Sequence, residues 1–157
     1  MRALFGVALL LALAGSAAAS GGPLFRRADG STIVFQRSAR AWCDGRNLNV
    51  LTLARSVRES RWQLEIARTR VRHGRVVRFS WRHPNGIGIF VFDGKTRNEA
   101  SQGAEGSHGV ITLVRATCRR GGRVEIGLSG TIASEFSDGR PVRVTGTYCG
   151  TIGSRPG

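Results

Sequence analysis

The chain has 157 residues with 24 Lys plus Arg against 10 Asp plus Glu, a formal net charge of +14, and it is 41% hydrophobic. That length makes one domain and leaves no room for a cofactor domain beside a substrate domain. The composition excludes a disordered polyelectrolyte, a collagen-like chain and a low-complexity chain, and it suffices to bury a core.

Residues 1–19 read as an export leader. Arg2 is the positive n-region, residues 3–15 are an apolar or small-residue run, and Ala17-Ala18-Ala19 supplies the small-residue cleavage site before Ser20. The run is shorter than the ~20 residues of a membrane span. Ser16, which has no thiol to acylate, stands where a lipid-anchor cysteine would follow Leu13-Ala14-Gly15. The expected product is therefore exported, periplasmic or secreted, with no membrane span and no lipid anchor. Its all-β domain occupies residues 20–150, and residues 151–157 are a flexible tail.

Past the leader the pattern is short alternating runs separated by turn residues, the signature of strands. Candidate strands cover residues 32–36, 47–55 and 61–68, the last with Trp62, Leu64 and Ile66 on one face. Residues 75–82 set Val77, Phe79 and Trp81 inward and Arg78, Ser80 and Arg82 outward. The tight-turn sequence His83-Pro84-Asn85-Gly86 then joins them as a hairpin to residues 87–93, which are apolar on both faces and are placed centrally. Residues 95–108 hold nothing apolar larger than Ala and read as one long loop. Candidate strands resume at 110–117, 123–132 and 142–149. Residues 56–60 read as a hairpin loop and Ser137-Asp138-Gly139 as a turn. About eight strands and no helix predict a single antiparallel β-sandwich, or a small barrel.

Export permits disulfides, and Cys43, Cys118 and Cys149 allow one bridge with one thiol left over. The expected bridge is Cys118–Cys149, closing a loop of roughly thirty residues worth about 3–4 kcal/mol, with Cys43 free. It requires one of the pair to lie past the sheet edge, because strands separated by a third are too far apart to bridge.

In the C-terminal half, Gly109-Val110-Ile111-Thr112-Leu113, Leu128-Ser129-Gly130-Thr131-Ile132 and residues 138–148 (DGRPVRVTGTY) follow one another. This succession resembles small exported bacterial β-domains of uncharacterised function, which close with similar Gly-punctuated strands. The resemblance covers about forty residues. It implies a β-sandwich fold and brings neither catalytic residues nor a ligand. The chain departs from that pattern in carrying Cys118 and Cys149 and in lacking a lipid-anchor cysteine.

Motifs that carry chemistry are sparse. Gly94-Lys95-Thr96 lacks the first glycine of a phosphate loop, since Ile89 stands there, and no helix follows. Gly127-Leu128-Ser129-Gly130 lies within a strand, where a nucleophile elbow needs a strand-to-helix turn. His73, His83 and His108 are dispersed without metal-ligand spacing, and no C-x-x-C pair exists. Asp44, Asp93, Glu99, Glu105 and Asp138 fall mostly in turns. The reading is a non-catalytic binding or envelope-associated module of unspecified role, without cofactor or metal; the alternatives are an Arg-rich hairpin that binds anionic cell-envelope polymer and a small hydrolase or metal-dependent enzyme.

Charge is the informative feature. Lys95 is the single lysine, against 22 arginines after the leader. GC-rich codon usage explains such a ratio without function. An anion-binding face explains it through arginine's bidentate contacts to phosphate and carboxylate. Arg68, Arg70, Arg72, Arg75, Arg78 and Arg82 crowd into fifteen residues. Arg68, Arg70 and Arg72 continue the inward parity of Trp62, and unpaired guanidiniums cannot be buried. Either the strand ends near Ala67 or these arginines line a mouth or cleft. The partners this implies are an anionic cell-envelope polymer or an acidic protein. Specific nucleic-acid recognition is not expected, because the aromatic residues sit on core parity.

Overall fold

The computed structural model describes residues 22–35, 39–52, 60–135 and 140–155. The leader, most of the loop expected at 56–60 and the turn at 137–139 lie outside them. Eleven strands follow one another: β1 (Leu24–Arg26), β2 (Thr32–Ile33), β3 (Ala39–Cys43), β4 (Asn47–Thr52), β5 (Arg61–Ala67), β6 (Arg75–Ser80), β7 (Ile87–Asp93), β8 (Asn98–Ser101), β9 (His108–Arg115), β10 (Arg123–Ser134) and β11 (Val142–Thr151). The described residues contain no α-helix, and no helix among them is long and apolar enough to cross a membrane.

All strand pairings are antiparallel, and nine strands form one path in the order β2-β1-β11-β10-β8-β7-β5-β4-β3. A second arm runs from β10 through β9 to β6. β10 makes this possible by its length. Its segment from Glu125 to Thr131 pairs with β9, whereas Ala133 and Ser134 beyond it pair with β8. At the crossing, Gly109 of β9 faces Gly130 of β10. A Cβ on Gly109 would lie 2.7 Å from the Phe79 ring, and one on Gly130 would lie 2.5 Å from the His108 carbonyl oxygen. Two glycines therefore let the backbones close up at this crossing.

The sheet curls into an antiparallel half-barrel with a single core. Trp62, Leu64 and Ile66 of β5, on the expected face, are buried in it. Trp62 meets Phe25 of β1 at 5.4 Å and Tyr148 of β11 at 6.1 Å between ring centroids, so strands distant along the path touch through their inner faces. Each such side chain removed from water contributes about 1.5–3 kcal/mol. The expected all-β antiparallel domain is present as one curled sheet, not as the two separate sheets of a sandwich.

Four local expectations are corrected. First, three strands were not expected: β1, β3 and β8 are short or polar, and β8 lies inside what reads as a long loop. Second, β6 and β7 do not form a hairpin. β7 pairs with β5 and β8, and β6 pairs with β9. The two strands separate because their apolar faces serve different arms of the sheet. β7 is central, as its two-sided apolar pattern predicts.

Third, the domain does not end at Gly150. Thr151 completes β11, Ile152 is 4% exposed and bridges to Ala41 of β3, and the Gly153 amide donates to the Ala41 carbonyl at 2.8 Å. An apolar side chain inside the nominal tail seals the approach of β3 to β11. Fourth, the disulfide joins Cys43 to Cys118, with Cα atoms 5.5 Å apart, and leaves Cys149 as the exposed free thiol. Tyr148 points inward, so its neighbour Cys149 points out. With β10 between β9 and β11, about 9–10 Å also separates those strands, beyond a disulfide's reach. Curling brings the end of β3 to the segment after β9 instead.

Candidate anion-binding site

Residues 68–86 form an excursion from the sheet. β5 and β7 are neighbours in register, with Ile66 opposite Ile87, yet the chain between them leaves, builds β6 on the other arm and returns. The base is closed by the Ala67 amide donating to the Gly86 carbonyl at 2.7 Å. Gly86 has φ 78°, and a Cβ there would lie 2.7 Å from the Ala67 Cβ. Asn85 before it is also left-handed, at φ 53°. The turn expected from Asn85-Gly86 is therefore formed, although it feeds β7 into the opposite arm.

The excursion holds all six arginines of the expected site together with His73 and His83. No carboxylate occurs from Ile66 to Phe92 in the sequence. β5 ends at Ala67 and turns into a short 3₁₀ segment, Arg68–Arg70. This resolves the parity problem by ending the strand: Arg68 and Arg72 are exposed and Arg70 is half-buried. Arg68 is anchored, its Nη1 donating to the Asp44 carbonyl at 2.9 Å. Arg75, half-buried, opens β6, and Arg78 stands exposed on its outer face beside Val76, which is 55% exposed.

The strand stops at Ser80, so Trp81 is half-buried and not part of the inner stripe with Val77 and Phe79. The Arg82 guanidinium lies 4.6 Å from the Trp81 ring centroid. Stacking on the indole limits the guanidinium's freedom and leaves its N–H edge available for an in-plane anion. The Trp-Arg pair directly before the Pro84 turn is the signal that alternation alone misread.

The ion pairs among the described residues are Arg27–Asp93 and Arg115–Glu125. None of the six arginines takes part in one. His73 and His83 are exposed at opposite ends of β6, and His108, exposed at the start of β9, has its Nδ1 2.8 Å from the Gly106 carbonyl oxygen. No group of three His, Cys, Asp or Glu among the described residues could hold a metal ion.

The carboxylates are engaged locally. Asp44 accepts from the Asn47 amide at 2.6 Å and the Arg46 amide at 2.7 Å, and these bonds hold its carboxyl below the usual value. Asp93 is 1% exposed. Arg27 donates to it through both Nε and Nη2, Thr96 Oγ1 at 2.7 Å and the Lys95 amide at 3.1 Å. Burial alone would raise that carboxyl, but the donors, led by Arg27, outweigh it and keep it below the ordinary carboxylate range. Asp93 is thus an ionised staple between the β1–β2 turn and β7. A cavity of about 280 Å³ lies beside it, lined by Arg27, Asp93, Asn98 and Arg140 among others. There Asn98 already donates to the Arg140 carbonyl at 3.1 Å and accepts from Ser134 Oγ at 2.8 Å.

No family model, no curated protein and no solved structure matches this chain.

Proposed function

We propose that the protein is an exported, non-catalytic β-domain, periplasmic or secreted and free of a lipid anchor, that binds an anionic partner of the cell envelope through residues 68–86. One observation carries the reading. Six arginines project from a single excursion that holds no carboxylate, and none of them has an acidic partner among the described residues. Codon usage can multiply arginines but gives no reason for acids to be missing from the one segment where six of them crowd. The leader sequence, the Cys43–Cys118 bridge and the resemblance of the last strands to small exported β-domains support export.

The test is binding of the protein starting at Ser20 to labelled polyphosphate and polyglutamate across a salt series. Affinity should fall steeply between about 50 and 300 mM salt. Changing Arg72, Arg75, Arg78 and Arg82 together to Ser should weaken it about ten-fold or more. Equal affinity of this variant and the parent would overturn the reading. The mass of the exported protein checks cleavage before Ser20.

A further inference from the structure

The same excursion carries an open sheet edge, and the edge constrains the shape of the partner. β6 pairs only with β9 among the described strands. The Trp81 amide donates to the Ser107 carbonyl at 2.9 Å, which sets the phase of that ladder. In an antiparallel pair, alternate residues turn their main-chain groups toward the partner and away from it. Val77 and Phe79 therefore face β9, and Val76 and Arg78 face out.

Toward the turn, the outer side is already closed. The Arg78 carbonyl accepts from Asn85 Nδ2 at 2.7 Å, the Ser80 amide donates to the His83 carbonyl at 3.0 Å, and the Ser80 carbonyl accepts from Gln102 Nε2 at 2.9 Å. Among the described residues, what stays open is a short ladder: the Val76 N–H and C=O and the Arg78 N–H. The edge at β3, one end of the nine-strand path, is treated differently, since it is met by Ile152 and Gly153.

We infer that β6 accepts an extended acidic peptide segment of another protein as an added strand, its main chain on Val76 and Arg78 and its carboxylates among the flanking arginines. This rests on the anion-binding reading of the excursion and names the partner. Three features converge on a peptide. A strand supplies the alternating C=O and N–H groups that the open ladder needs, which phosphate and sugar polymers do not. Val76, exposed between cationic side chains, offers an apolar contact to the residue opposite it on such a strand. Charge disfavours a second copy of this chain, because each copy carries +14.

The experiment uses a labelled ten-residue peptide of alternating Glu and Val, the same peptide N-methylated along one edge, and polyphosphate. Amide exchange is read by NMR. The parent peptide should bind and slow exchange at the Val76 and Arg78 amides. The methylated peptide should bind about ten-fold more weakly or worse. Val76→Pro removes an outward N–H at a position where an edge strand tolerates proline, so it should weaken the peptide and leave polyphosphate unchanged. Equal binding of the methylated peptide, an indifferent Val76→Pro variant, or polyphosphate binding without peptide binding would overturn strand addition while the anion-binding reading stands. Failure of peptide and polyphosphate alike would overturn both.

Discussion

The turn between β1 and β2 and the excursion between β5 and β7 both present arginine, and they use it in opposite ways. Arg27, with a side chain 13% exposed, places two guanidinium nitrogens on a buried carboxylate that Thr96 and the Lys95 amide also bond. Arg72, Arg78 and Arg82 form no ion pair among the described residues; all three are exposed, and Arg82 lies over the Trp81 ring. A guanidinium removed from water has to be paired, whereas one left on the surface keeps its hydration and needs no partner. One residue type thus serves as a cross-link in one region and, on the reading proposed above, as recognition chemistry in the other.

The largest perturbation should fall on the frame that both regions share. Replacing Cys43 and Cys118 with Ser opens a bridge between residues 75 apart in sequence, which should cost about 4 kcal/mol by denaturant unfolding. Thiol titration of the native protein should count one cysteine, Cys149. Loss of stability on changing Cys149, with none on changing Cys43, would restore the Cys118–Cys149 pairing.

Next comes the staple itself. Asp93→Asn keeps the shape but leaves Arg27 facing a neutral amide, and breaking a buried pair in this way should cost about 3 kcal/mol. The sign with pH follows from the lowered Asp93 carboxyl. Its contribution is present above the unfolded carboxyl value near 3.8 and is lost as pH falls through the still lower folded value. The parent should therefore lose stability at the acid end, and Asp93→Asn should flatten that limb of the curve. An unaltered acid limb would mean that other carboxylates carry it.

At the base of the excursion, Gly86→Ala forces a left-handed φ on a residue with a Cβ and sets that Cβ against Ala67. The cost should be about 1–2 kcal/mol. Because Gly86 closes the loop that carries the arginines, this variant should also weaken anion binding without removing a charge. Intact binding would show that the arginines act without the loop's geometry.

Much of this contrast was readable before any fold was known, and the unreadable part has a common cause. Two-residue alternation located β4 to β7 and β9 to β11 because each runs for six or more residues with at least two buried apolar side chains on one face. β1, β3 and β8 carry no such stripe: Glu99 and Ala100 become strand only because Phe92 and Val91 lie beside them. The crowding of arginine was evident in the sequence, and so was the choice it forced between a strand ending near Ala67 and a cleft lined by arginines; the 3₁₀ segment at Arg68–Arg70 decides for the first. The disulfide, the destination of β6 and the sealing role of Ile152 depend on how far the sheet curls. That β10 pairs with β9 along one segment and with β8 beyond it is a property of strand pairing that local pattern does not encode.

The smallest effect on stability is the one that separates the two regions most cleanly. Arg72→Ser and Arg78→Ser remove side chains that are exposed and lack acidic partners among the described residues. Such surface changes stay within about 0.5 kcal/mol, and relief of like-charge repulsion along residues 68–82 pushes the sign toward stabilisation. Denaturant midpoints should therefore match or exceed that of the parent, while affinity for polyphosphate falls. Arg27→Ser makes the reverse pattern the control: it should unfold the protein readily through the orphaned Asp93, and it removes nothing from the excursion. If Arg72→Ser or Arg78→Ser destabilised the fold as much as Arg27→Ser, the excursion arginines would be structural, and the division between the two regions would collapse.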